Sequence, residues 1–274
     1  MRKRLNLNQL RSLQIGSQSK MSSYFDSDEY LSYLRKHYGV TGHDVAGRDA
    51  YFTGPDFQLA MGYLDLLKIR SEDKVLEVGC GLGSLLKGVH DLYGVRPHGI
   101  DVSKKVVEGA IARVGGICSE IRASPAEMIP HSDALFDEVF LWGVFDLTDQ
   151  TRSLSEIARV TKVGGRILLT GKNDMYHEDD VQAREAEEAV KRKGMPNHFT
   201  DFDKMIELTK QLGLKVELER FFERRGDFAK NQFQTEQPDR FYEYLILLKK
   251  ERQVQIRNMP YSVICSISSR TSHQ

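Results

Sequence analysis

The sequence predicts an α/β fold: a doubly wound, mostly parallel seven-stranded sheet with N-terminal helices and an inserted helical segment. Three observations carry this. Between residues 74 and 170, short apolar runs alternate with amphipathic segments of helix length. A glycine-rich turn, Gly79-Cys80-Gly81-Leu82-Gly83, follows the first of these runs directly. After a polar helical insertion, two further strand-like segments close the domain.

The first helix is expected after Asp26, running through Tyr30, Leu31, Leu34 and Tyr38. A second should begin near Pro55, which suits the first helical position because no N–H is left unpaired there. Leu59, Tyr63, Leu64 and Leu67 mark its apolar side. Residues 74–78 form a short buried strand, and Leu82, Leu85, Leu86 and Val89 then recur at helical spacing. Residues 95–100 read as a second strand. Ser103 is placed to cap a helix with Val106, Val107, Ala110, Ile111 and Val114 inward. Strands follow at 118–123, 138–142 and 166–170, with a helix at 149–162. Strands separated by crossovers of this length pair in parallel. Residues 178–193 read as a helix with acids first and bases last, the order that complements the helix dipole. Its apolar face is thin. Thr200 should cap the next helix, with Phe202, Met205, Ile206 and Leu212 inward and Gly213 as its stop. Residues 214–222 and 241–248 supply the last two strands, joined by a long loop.

At 274 residues, 40% hydrophobic and 28% charged, the chain has ordinary globular composition and can bury a sizeable core. No apolar run approaches the ~18 residues that span a membrane. Cys80, Cys118 and Cys265 are scattered without a C-x-x-C pair, which argues against a disulfide framework or a structural zinc site and fits a reducing, cytoplasmic setting. The net charge of zero is uneven: residues 1–25 hold five basic residues and no acid, leaving 34 basic against 39 acidic residues elsewhere. A slightly acidic body is a poor match to a phosphate backbone, so nucleic acid is disfavoured as a partner. The basic start reads as an unstructured arm, an extension upstream of Met21, or an import signal. Residues 1–20 are expected to be dispensable. Residues 26–250 make the domain, and 251–274 a disordered tail.

The chemistry concentrates after the first two strands. Glycines let the backbone turn sharply and approach a ligand closely. The spacing Gly79-x-Gly81-x-Gly83 differs from the G-x-G-x-x-G of dinucleotide binders. Glu77, at the end of the strand, would repel a pyrophosphate but not a cationic amino-acid ligand. Asp101 ends the second strand, where a carboxylate can accept both hydroxyls of a ribose. An NAD-dependent oxidoreductase is disfavoured by the glycine spacing and by Glu77.

With these residues the chain resembles the class I S-adenosylmethionine-dependent methyltransferases, in particular their type 11 small-molecule branch. Ala123-Ser124-Pro125-Ala126-Glu127-Met128-Ile129-Pro130 is similar to that family's "DAExLP" segment, with Pro125 where the aspartate usually stands. Residues 134–140 resemble the entry to its fourth strand. Residues 154–165 resemble its L-x-E-I-x-R-V-L-K-P-G-G segment, with Val163 in place of proline. The likeness covers about residues 50–172 and implies a Rossmann-like methyltransferase fold with S-adenosylmethionine as cofactor. It implies that Glu77, Gly79, Cys80, Gly81 and Gly83 hold the methionine end and Asp101 the ribose. Val102, Ala126 and Glu127 would flank the adenine, and Trp142 and Gly143 would border the sulfonium. Trp142 also reads as core packing.

Two residues are candidates for acid–base work. Asp146 follows the fourth strand and could deprotonate a hydroxyl, or be a loop carboxylate before a helix. His198 precedes a helix and could overhang the site, or be a surface histidine. The polar exit from the fifth strand, residues 171–177, could bind the acceptor, and no metal is assigned. Residues 224–233 lie in a loop longer than a plain connection and could meet an anionic or sugar-like acceptor. The expected activity is methyl transfer to a small polar acceptor, through oxygen. The alternatives are an N- or protein methyltransferase, or a S-adenosylmethionine-binding protein without catalysis.

Overall fold

A computed structural model describes residues 24–37, 55–193 and 195–254. The arm through residue 23 and the tail from 255, with Met21 and Cys265, lie outside the described residues, as does Gly194. The elements in chain order are α1 (Asp28–His37), α2 (Pro55–Leu64), β1 (Val75–Val78), α3 (Ser84–Tyr93), β2 (His98–Asp101), α4 (Lys104–Val114) and β3 (Glu120–Ala123). Then come β4 (Phe136–Leu141), α5 (Gln150–Val160), β5 (Thr161–Lys172), α6 (Val181–Arg192), α7 (Phe202–Gln211), β6 (Leu214–Phe222) and β7 (Glu243–Lys250).

The strands form one sheet in the order β3-β2-β1-β4-β5-β7-β6. Pairing is parallel from β3 to β5, and β7 is antiparallel to both its neighbours. The order reverses between β1 and β4, so a crevice opens at the carboxyl ends of the strands there. Because successive side chains point to opposite faces, each buried strand feeds two cores. Leu76, Val139, Leu141, Ile167 and Leu169 pack with Leu154 and Ile157 of α5 and Phe202 and Met205 of α7. Val75, Phe140, Leu168 and Leu245 pack on the other side with Met61 and Leu64 of α2 and Val89 of α3. Removing one of these side chains down to alanine would cost about 2–5 kcal/mol.

The differences from the sequence reading have local causes. β2 starts at His98 rather than 95, because Pro97 has no N–H for the ladder. Ser103 caps α4 through Val106 N as expected, but Ile111 is 50% exposed rather than inward. The residues expected to end a helix at 162 belong instead to β5, which pairs Thr161 with Phe136 before a register shift. α6 starts at Val181 behind its cap Asp180 rather than at 178; Glu178 and Asp179 precede it and pair with Arg240 and Arg224. Asp201, not Thr200, caps α7, its carboxylate accepting Lys204 N at 3.2 Å. The Thr200 hydroxyl is taken by Gln150 Nε2 at 2.9 Å and Tyr244 Oη at 2.8 Å, and so cannot serve the helix. β7 runs on to Lys250, whose buried ammonium donates to Ala158 O and Thr161 O at 2.6 Å and closes the carboxyl end of α5. Among the described residues, no helix is long and apolar enough to cross a membrane.

Candidate functional site

The turn after β1 folds back over β2: the N–H groups of Gly79 and Cys80 both donate to Ile100 O, at 2.7 and 2.9 Å. Gly79, Gly81 and Gly83 all have positive φ, at 77°, 53° and 82°. Their reasons differ. A Cβ on Gly79 would strike the Val144 side chain, and one on Gly83 would strike Val114. A Cβ on Gly81 would meet nothing and would project into open space. Gly81 therefore faces the crevice, whereas Gly83 is absent from its wall and serves the packing of α3 on α4. Cys80 contributes backbone: its thiol is buried beside Gly99 and pushed well up by burial, then by Asp101 and Glu77.

Two buried acids define the crevice. Asp101 accepts Gly81 N and Ser103 N, both at 3.0 Å, and burial pushes its carboxyl up to about 6 against those two hydrogen bonds. Glu77 is 4% exposed, and its Oε2 has no hydrogen-bond partner. Burial, then the neighbouring Asp101, raises it well above the ordinary range. A buried carboxylate oxygen without a donor is costly unless a ligand supplies one. An ammonium group would meet that need.

Val102, Ala126, Glu127, Trp142 and Gly143 line the same crevice. Glu127 accepts Asp149 N at 2.6 Å, and burial raises its carboxyl. The loop carrying these residues is pinned from α5: Glu156 accepts Ile129 N at 2.9 Å, and Arg159 donates to Ile129 O, His131 O and Asp133. Those two side chains explain the E-I-x-R pattern of the helix. Phe25 and Tyr30, 4.9 Å apart in edge contact, add an aromatic cover from the N-terminal side. Phe25 is 3% exposed, although the sequence reading gave it to the arm.

A second crevice adjoins the first and shares Trp142 and Gly143 with it. Its apolar end holds Leu59, Trp142 and Phe228, with the two rings 5.4 Å apart. Its polar end holds Asp146, Lys172, Arg225 and Glu243. Lys172 Nζ lies 3.1 Å from Asp146 and 3.4 Å from Glu187. Burial alone would depress that ammonium, but Asp146, Tyr242 and Glu187 hold it above the ordinary lysine value. Glu243 is half-buried; burial pushes its carboxyl up to about 7, against the pull of Lys172 and Arg225.

Residues 76–169 match the family model described as a methyltransferase domain. The sheet order and the solved structures it resembles agree with that match. Residues 76–169 carry a methyltransferase domain.

The phosphoethanolamine N-methyltransferase 1 of Triticum aestivum is 24% identical over 176 residues, which cover 63% of this chain and 35% of that protein. The O-methyltransferase resE of Aspergillus sclerotiorum is 32% identical over 100 residues, 35% of this chain and 38% of the relative. The chain thus spans little more than a third of either relative. The phosphoethanolamine N-methyltransferase 2 of Haemonchus contortus, solved with phosphomonomethylethanolamine and S-adenosylhomocysteine, superposes with a TM-score of 0.63. It is 17% identical, over 85% of this chain and 60% of that one.

In the methyltransferase domain, the sequence-predicted cofactor residues other than Gly83 lie together on the first crevice. Asp146 lies on the second, but its carboxylate is engaged by Lys172. His198 is on the wall of neither. Its N–H donates to Asp146 O at 2.7 Å and its carbonyl accepts Gln150 Nε2 at 3.0 Å, so its backbone braces the loop. Glu243 is not legible in the sequence, because it lies at the amino end of its strand rather than at the carboxyl end of a parallel one. β7 is antiparallel, so its first residue pairs with Lys172 and reaches the same sheet edge. Among the described residues, no three His, Cys, Asp or Glu side chains gather as a metal site would.

Asp101→Ala is expected to weaken S-adenosylmethionine and S-adenosylhomocysteine by on the order of 1.5–3 kcal/mol, through lost charged hydrogen bonds. Affinity in the unsubstituted protein should fall as pH drops through about 6, where the Asp101 carboxylate takes up its proton. Calorimetry that shows no loss in the variant would remove Asp101 from the site.

Proposed function

We propose that the chain is a S-adenosylmethionine-dependent methyltransferase acting on a small polar acceptor through oxygen. The observation that carries the reading is Glu77 Oε2, buried and without a donor, on a crevice that opens beside Trp142 and Gly143 into a second, charged one. The residues fit the cofactor: Glu77 would meet the amino group, Asp101 the ribose, and Val102, Ala126 and Glu127 the adenine. Bound S-adenosylmethionine supplies an electrophilic methyl on a sulfonium, and the protein's task is alignment and proton handling.

The acceptor would lie in the second crevice, its reacting atom near Trp142 and Gly143. Glu243 would take the hydroxyl proton, since a base whose affinity for protons lies near neutrality is well matched to that step. Asp146 and Glu187 would hold Lys172 in place. Transfer to nitrogen is the second reading, favoured by the name of the wheat relative. Incubation with methyl-labelled S-adenosylmethionine and a metabolite pool tests the activity, and mass spectra of the labelled product separate oxygen from nitrogen. No labelled product alongside intact cofactor binding would favour the non-catalytic alternative.

Residues 172–200 would cover the acceptor. In α6 only Ala183 is buried. The segment is held mainly by polar ties: Glu187 to Lys172, Tyr242 and Asn197, and Asp180 to Arg225 N. Weak apolar anchoring favours opening. Hydrogen exchange is expected to show weak protection of residues 175–193 and 195–198 in the free protein, and slower exchange with S-adenosylhomocysteine. High protection that ligand leaves unchanged would make the segment fixed structure.

A further inference from the structure

The two cations of the second crevice are held differently. Lys172 is flanked by Asp146 and Glu187, both within 3.4 Å, so its charge is matched twice over. Arg225 lines the same crevice and has no carboxylate within ion-pair distance among the described residues. It is nonetheless well fixed. Its Nη1 donates to the Tyr242 hydroxyl at 3.2 Å, and its guanidinium lies 6.0 Å from that ring's centroid. The Tyr242 hydroxyl is itself held by Glu187, and the Arg225 N–H donates to Asp180 Oδ2 at 2.8 Å. The neighbouring Arg224 gives the contrast: it pairs with Asp179 at 3.0 Å and is absent from the crevice wall.

A guanidinium is a planar fork of five donors that matches the two oxygens of a carboxylate or phosphate. One donor of the Arg225 fork goes to a phenol, a neutral partner, and no carboxylate closes an ion pair on the fork, although Glu243 of the same crevice feels its charge. We infer that the methyl acceptor carries an anionic group, carboxylate or phosphate, that docks on Arg225. This deepens the methyltransferase reading and rests on it. Leu59, Trp142 and Phe228 line the same crevice and would meet an apolar part of the same molecule.

The test uses the full chain loaded with S-adenosylhomocysteine, with inorganic phosphate and acetate as probes. Phosphate binding is read by phosphorus NMR line width and acetate binding by saturation transfer. At least one probe should bind, and Arg225→Gln should weaken it at least tenfold with cofactor affinity changed less than twofold. Arg224→Gln, the same charge change on the same loop, should leave it as in the unsubstituted protein. Phosphate alone, acetate alone or both binding would tell which anion the fork prefers. No binding of either, equal binding in Arg225→Gln, or equal loss in both variants would overturn the inference. Failure of S-adenosylhomocysteine to bind the unsubstituted chain would instead overturn the methyltransferase reading and the inference with it.

Discussion

Gly81→Val is expected to abolish S-adenosylmethionine binding and leave the domain folded. A Cβ at this position meets no atom of the protein and projects into the crevice, so the branched side chain would occupy cofactor space rather than core. The left-handed backbone, φ 53°, adds a strain of about 1–2 kcal/mol for an L side chain. That is within what a domain of this size tolerates. Circular dichroism and melting should therefore resemble the unsubstituted protein's while calorimetry shows no heat of binding. At Gly79 the same substitution would clash with Val144 and threaten the fold, which makes Gly81 the cleaner probe. Retained binding in Gly81→Val would take the turn out of the cofactor site.

Glu243→Gln is expected to lower kcat by about 10²–10⁴, the usual contribution of a positioned base. Glu243 must be ionised to accept a proton, and burial places its titration at about 7. The rate of the unsubstituted enzyme should therefore rise with pH through about 7 and level off above it, and the glutamine variant should lose that limb. Cofactor affinity should be unchanged, because Glu243 lies on the second crevice and not on the first. The companion Asp146→Asn should lower the rate through a misplaced Lys172 and keep the limb. A limb that survives in Glu243→Gln would assign proton transfer to another group.

The parallel half of the sheet and the residues that line its first crevice were legible in the sequence for a physical reason. A buried strand followed by a glycine turn is a local signal, and Glu77, Gly81 and Asp101 each lie within a few residues of a strand end. The helix caps were nearly legible: Thr200 and Asp201 are both good capping residues, and only the tertiary partners Gln150 and Tyr244 decide between them. The second crevice was far less so. It joins Asp146, Lys172, Arg225 and Glu243 from four separate stretches, and their meeting depends on β7 running antiparallel beside β5. His198 looked suited to catalysis by residue type and position, yet hydrogen bonds of its own backbone hold it to Asp146 and Gln150, off either wall. Gly83 shared the turn's pattern with Gly81, but its reason is the contact with Val114. Spacing alone cannot tell a glycine that admits a ligand from one that admits a helix.

In the proposed function the crevice after β1 and β2 holds S-adenosylmethionine through a buried acid that awaits an ammonium group. Calorimetric titration of the full chain with S-adenosylmethionine and with NAD, repeated on Glu77→Gln, tests it most directly. One site for S-adenosylmethionine is expected, at least tenfold weaker in Glu77→Gln, and no heat with NAD. Proton release on binding is expected as well, because the incoming ammonium lowers a carboxyl that burial had raised; the measured enthalpy should then vary with the buffer. Binding of NAD in place of S-adenosylmethionine, or affinity for S-adenosylmethionine undiminished in Glu77→Gln, would contradict it.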